Sequence, residues 1–266
     1  MHLHRNITPN GVAKSLLAFI AFLVIADLIV VFLEYVDGYK TALGFVPLFD
    51  MDVEFNLPSL YSTFGILLCA FTLFHIGKIA AADRSSESRY WRAMGGVFVY
   101  LALDELISIH ERLDGVVSHF LGHKIHHHEG PLWVLPYAVL LICFGLYFIR
   151  FYLRLPTETK IQFCLSGVIY VSGAVGVEIL GNPFDNHPMA GFIKGLYSTL
   201  EETMEMVGMV MFLRALLIYL ANHTRSASHT LTFHLQGKNT PPPRELDDLF
   251  ETKAVRQPAE RKTAGV

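Results

Sequence analysis

The sequence predicts an all-helical, polytopic membrane protein built as a bundle of six transmembrane helices, and three observations carry that expectation. Hydrophobic residues make up 52% of the 266 positions, with a mean hydropathy of +0.40. Charged residues make up only 17%, against about 25% in an ordinary soluble domain. Six apolar runs, at 12–35, 57–79, 90–112, 132–153, 161–182 and 193–221, reach the ~20 residues that a helix needs to cross about 30 Å of hydrocarbon.

The first run follows Arg5 and Lys14. It is too long for the apolar core of a signal peptide and has no small-residue cleavage site, so it reads as a retained span. The second begins at Pro58, and the third carries Tyr90 and Trp91 at its start, as expected of interfacial aromatics. The fourth follows Gly130-Pro131, has Trp133 at its head and is closed by Pro156. The fifth stops at Gly181-Asn182-Pro183 and offers Gly167, Gly173 and Gly176 as a small-residue packing surface. The sixth is followed by a polar segment with Pro241-Pro242-Pro243, whose composition offers too little apolar surface to order itself. The expected organisation is a membrane domain over 1–222 and a cytoplasmic, disordered tail over 223–266.

Orientation follows from Lys and Arg, which concentrate on the cytoplasmic side. Alternate ends of the runs hold 17 of the 21 basic residues, and only Lys40, Arg112, Lys124 and Lys194 lie on the other side. This places a multi-pass protein in the cell inner membrane with both termini cytoplasmic. Eight of the 24 acids share the basic side. The net charge of −3 therefore divides into about +9 on one side and −12 elsewhere, the latter including acids embedded in the runs. With no basic excess, nucleic acid is excluded as a partner. Cys69, Cys143 and Cys164 stand singly, which indicates neither a disulfide framework nor a thiolate metal site.

Seven embedded acids stand out: Asp27, Asp104, Glu105, Glu178, Glu201, Glu202 and Glu205. Intramembrane ionisable residues are functional by default, because lipid exposure costs about 2.5–3.5 kcal/mol per charge near the bilayer centre. Asp27, Asp104 and Glu201 each lie eight residues, or about 12 Å along a helix axis, from the outer ends of their runs. Helical spacing puts Glu201, Glu202 and Glu205 on one surface. It puts Asp104, Ser108 and Glu111 on one face of the third run, with Glu105 and His110 beside it. No Lys or Arg shares their depth, so protons or a bound cation must neutralise them. Carboxylates with His suit a divalent iron, manganese or zinc. The expected metal ligands are Glu105, His110, Glu111, Glu201, Glu202 and Glu205, with Asp104 and Glu105 as catalytic groups. The di-metal bundle pattern with Glu-x-x-His is not met, because Glu105 and His110 are five apart.

The loop after the third run adds His119, His123, His126, His127 and His128. His123-Lys124-Ile125-His126-His127 resembles a fragment of the histidine boxes of membrane fatty-acid desaturases, but lies on the opposite side from that family's boxes and lacks its three separate boxes. His123, His126 and His127 are expected either to supply ligands to the carboxylate site or to form a solvated turn. The segments Asp104-Glu105-x4-His110-Glu111 and Glu201-Glu202-x2-Glu205-x2-Gly208 together resemble a group of uncharacterised bacterial multi-pass membrane proteins. The resemblance implies the architecture and no activity.

There is no GxSxG elbow, phosphate loop or dinucleotide fingerprint. Membrane lipid is the surrounding medium. The leading expectation is a metal-dependent oxidoreductase or hydrolase acting on a lipid-soluble substrate. A cation or proton translocator using the same acids, and a non-catalytic scaffold, are the alternatives.

Overall fold

A computed structural model describes residues 8–121, 132–181 and 189–223, and those residues contain helices and connections but no strand. His123, His126, His127 and the tail beyond His223 lie outside the described residues, as does the side chain of Glu111.

The first helix, α1 (Pro9–Tyr35), starts with Thr8 accepting the Gly11 N–H at 3.0 Å and Pro9 in the first turn, where a missing N–H costs nothing. Its buried residues, from Ala13 through Ile20, Leu23, Ala26, Asp27 and Val30, recur at helical spacing. Phe22, Ile25, Ile29 and Phe32 on the other side are exposed, an apolar surface suited to lipid. A short helix, α2 (Phe45–Phe49), follows in the connection.

The next helix, α3 (Leu57–Ala82), opens with a reciprocal cap: Asn56 accepts the Ser59 N–H at 3.2 Å, and Ser59 Oγ accepts the Asn56 N–H at 3.4 Å. A tight turn leads into α4 (Ser88–Ile107), which packs closely on α3. The expected run 90–112 is not one helix. It breaks at Ser108, which is left-handed (φ 49°, ψ 55°), and restarts as α5 (Ile109–Leu121). The assignment of Asp104, Ser108 and Glu111 to one continuous helical face is therefore corrected.

Beyond these come α6 (Val134–Tyr152) and α7 (Thr157–Val171), the latter passing through a π-helical segment, Ser172–Val177, into α8 (Glu178–Gly181). The long α9 (Ala190–His223) packs against α1, α3 and α7. Close approach depends on two glycines: a Cβ at Gly208 would stand 2.8 Å from the Tyr170 backbone N, and one at Gly173 would stand 2.9 Å from the Glu201 carbonyl. Trp91, Phe151, Phe163 and Tyr219 form an aromatic core at one end of the bundle, with Trp91 edge-on to Phe151 at 4.8 Å.

Among the described residues, five helical stretches are long and apolar enough to cross a membrane: Pro9–Tyr35, Leu57–Ala82, Val134–Tyr152, Thr157–Val177 and Ala190–His223. The remaining long helix, α4, does not qualify, because its 20 residues include Arg89, Arg92, Asp104 and Glu105.

Candidate functional site

At the end of the bundle opposite the Trp91 core, the connection between α1 and α3 folds inward. Asp27, 1% exposed in α1, accepts the Met51 N–H on Oδ1 at 2.8 Å and the Thr199 hydroxyl on Oδ2 at 2.5 Å. One turn beyond Met51 the segment is fixed again. Asn56 donates through Nδ2 to the carbonyls of Asp50 and Val53, and Asp52 accepts Ser198 Oγ at 2.7 Å and Lys194 Nζ at 2.9 Å. Two carboxylates thus clasp a strap of chain, residues 50–56, between α1 and α9. Half-burial raises the Asp50 carboxyl above its ordinary range, opposed by the N–H that Asp52 donates to it at 2.9 Å.

The strap forms one edge of a cavity of about 1250 Å³. Its polar end is lined by Glu54 from the strap, Asp104 and Glu105 from α4, His110 from α5, and Glu201, Glu202 and Glu205 from α9. The other charges acting on Glu105 are those of Glu205, Glu54, His110 and Asp104, and those acting on Glu202 are Glu105, Glu205, Glu201 and Glu54. Tyr170 at the end of α7 reaches the same acids, with Glu205 as its hydrogen-bonding neighbour.

Away from the acids the wall is largely apolar, with Ala93 and Val97 of α4, Leu140, Leu141, Phe144 and Phe148 of α6, and Ala174 and Val175 of the π segment. Asp104 to Ala93 on α4, and Tyr137 to Phe148 on α6, each span 11 residues, about 16 Å of helix. Gly96 also lines this part, and a Cβ there would meet nothing within 4 Å among the described residues.

Six of the expected site residues, Asp104, Glu105, His110, Glu201, Glu202 and Glu205, therefore line one cavity. Among the described residues no group of three or more His, Cys, Asp or Glu side chains is placed to hold a metal ion. The acids share a chamber without forming a ready-made coordination set. Asp27 belongs to the strap's fastening and does not line the cavity.

Sequence reasoning missed Glu54, Asp52 and Tyr137. The alternation Asp50-x-Asp52-x-Glu54 just before Asn56 and Pro58 was the available sign that this connection carries more than a turn. Nothing in the spacing indicated that it folds inward.

The family described as "Domain of unknown function (DUF8692)" matches residues 16–220. The chain belongs to this family. The matched span takes in every described acid of the cavity. No curated protein and no solved structure matches the chain.

Proposed function

We propose that this DUF8692 protein is a six-span integral membrane enzyme of the cell inner membrane, with both termini cytoplasmic, and that it takes a lipid-soluble amphiphile into the cavity. In this assignment α4 is the sixth span. Its acids and arginines are tolerated because the acids face a protein-lined chamber and the arginines sit at its Ser88 end, where long basic side chains reach an interface.

One observation carries the proposal: a chamber with carboxylates and His110 at one end and about 16 Å of apolar wall at the other. That division matches a molecule with a polar reacting group and a hydrocarbon chain. Binding sites are concave, mostly apolar and supplied with a few convergent polar groups. Between Ala93 and Asp104 the lining residues of α4 include no charged side chain, which also favours binding and chemistry over ion passage, because a translocator needs ionisable groups along its route.

A photoreactive alkyl probe tests the assignment. Cross-links should map to α4 and α6 in wild type and fall when unlabelled long-chain amphiphile competes; labelling spread evenly over the lipid-facing surface contradicts it. Elemental analysis of wild type and Glu202→Ala decides whether a divalent iron, manganese or zinc ion takes part. An equivalent of metal that is lost in the variant makes the acids its holders, and none in either protein leaves acid–base work to the side chains.

A further inference from the structure

Two non-glycine residues beside the cavity are left-handed, Phe55 in the strap and Ser108 between α4 and α5, and the second is the one that places a cavity histidine. Ser108 is 6% exposed and left-handed, with φ of 49°, a region that costs a non-glycine residue on the order of 1–2 kcal/mol. Strain of this kind persists where the surroundings over-determine it, and the inference runs from the outlier to a role. What the break achieves is specific. In an unbroken helix residues 104 and 110 would lie about 9 Å apart along the axis and on different faces. With the chain turned at Ser108, the His110 backbone N–H donates to Asp104 Oδ1 at 2.9 Å, and His110 Nδ1 lies 3.4 Å from the same oxygen.

The other Asp104 oxygen is taken from across the cavity. Tyr137 of α6 donates its hydroxyl to Oδ2 at 2.6 Å, and Tyr100, one turn below Asp104, has its hydroxyl 3.1 Å from that of Tyr137. Trp133 packs its ring 5.2 Å from the His110 ring and 5.1 Å from the Tyr137 ring. Asp104 is 7% exposed, whereas the His110 side chain keeps 27% of its surface and lines the cavity.

We infer that His110 is the proton-transfer residue of this cavity, and that Asp104 and Tyr137 are positioning residues that fix its ring. This rests on the proposal that the cavity is a reaction site, and it makes the substrate an amphiphile whose reacting group is a carboxylic ester attacked by water. A carboxylate that receives Nδ1–H leaves the lone pair on Nε2, the arrangement that orients a histidine base. The O–H bond of water breaks, an N–H bond forms at His110 Nε2, and the electron pair stays on the oxygen, which becomes the nucleophile. That oxygen bonds to the acyl carbon of the ester, the C–O bond to the alcohol breaks with its electron pair staying on the leaving oxygen, and the imidazolium, stabilised by Asp104, returns its proton to that oxygen. The charged groups around it are Asp104 and Glu105, with Glu54 and Glu205 acting on Glu105 in turn.

Carbethoxylation of the full-length protein by diethyl pyrocarbonate, read by peptide mass spectrometry at His110, tests this without knowledge of the substrate. Asp104→Asn should slow modification of His110 about tenfold, and Tyr137→Phe should slow it about threefold, because the ring loses its oriented Nε2 lone pair. Mere loosening of the structure exposes the ring and speeds the reaction. A rate in Asp104→Asn equal to or above wild type therefore overturns the inference. If that variant does not fold, Tyr137→Phe carries the same test with the same overturning result. Amphiphile cross-linking lost while these rates hold would defeat the lipid-substrate proposal alone; unchanged rates with cross-linking intact would defeat the His110 assignment alone.

Discussion

Asp27 gives the sharpest stability prediction. Its two oxygens hold Met51 of the strap and Thr199 of α9, and at 1% exposure no solvent replaces either. Removing the carboxylate in Asp27→Ala strands the Met51 N–H, which costs about 1–3 kcal/mol for a buried donor left without a partner. Thr199 keeps a bond to the Gly195 carbonyl at 2.8 Å, so its share is smaller, about 1 kcal/mol. The void left by the side chain adds to these, for a total of about 3 kcal/mol. Asp27→Asn behaves differently. Its amide oxygen still accepts from Met51, and its NH2 donates to a Thr199 hydroxyl already turned toward Gly195, so the loss should stay under about 1 kcal/mol. Thermal unfolding of detergent-purified protein, followed by circular dichroism, measures both. Asp27→Ala matching wild type, or Asp27→Asn falling as far as Asp27→Ala, refutes the fastening role and returns Asp27 to the candidates for a charged functional site.

The other predictions concern packing, surface charge and pH. Gly208→Ala should cost about 1–3 kcal/mol by forcing α7 off α9, since the new Cβ meets backbone atoms of Tyr170 and Ser166 within 2.9 Å. At Gly65 the three atoms nearest a new Cβ all belong to the flexible Met209 side chain, so Gly65→Ala should be far milder in the same unfolding assay. Lys194→Ala should change stability by less than about 1 kcal/mol, because its side chain is 65% exposed and its pair with Asp52 is screened. Asp50 binds its proton more tightly folded than unfolded, so its contribution is present at low pH and is lost as pH rises through the folded value. Asp50→Asn should therefore unfold at a higher temperature than wild type at neutral pH, and that difference should vanish on acidification into the carboxylate range.

Much of the helical architecture was legible because it rests on local quantities. The run expected at 57–79 corresponds to α3 (Leu57–Ala82) and that at 12–35 to α1 (Pro9–Tyr35), both written in uninterrupted apolar composition. The acids of α9 were legible for the same reason, since i, i+1 and i+4 spacing on a helix fixes a shared surface without tertiary knowledge. The break at Ser108 was not. No Gly or Pro lies between Leu103 and Glu111, and the bonds that accompany the turn, from the His110 N–H and the Tyr137 hydroxyl to Asp104, form only once the chain has folded. The strap was illegible in the same way. Asp27 reads as a functional acid from its burial in an apolar run, and only the arrival of the Met51 N–H and the Thr199 hydroxyl shows it to be a fastener. Glu54 enters the site from a connection, where no periodicity announces which way a side chain faces.

In the proposed complex an amphiphile lies in the cavity with its chain along α4 and α6. Gly96 lies on that wall with open space where a side chain would grow. Gly96→Phe should fill the chain's place without disturbing the helices, displacing methylenes that are worth about 0.8 kcal/mol each when buried. Native mass spectrometry of wild type and Gly96→Phe, released from the same lipid nanodiscs, is the direct measurement. Wild type should retain an amphiphile that the variant, at unchanged melting temperature, has lost. Equal retention by the two proteins, or none by wild type, contradicts the proposed complex.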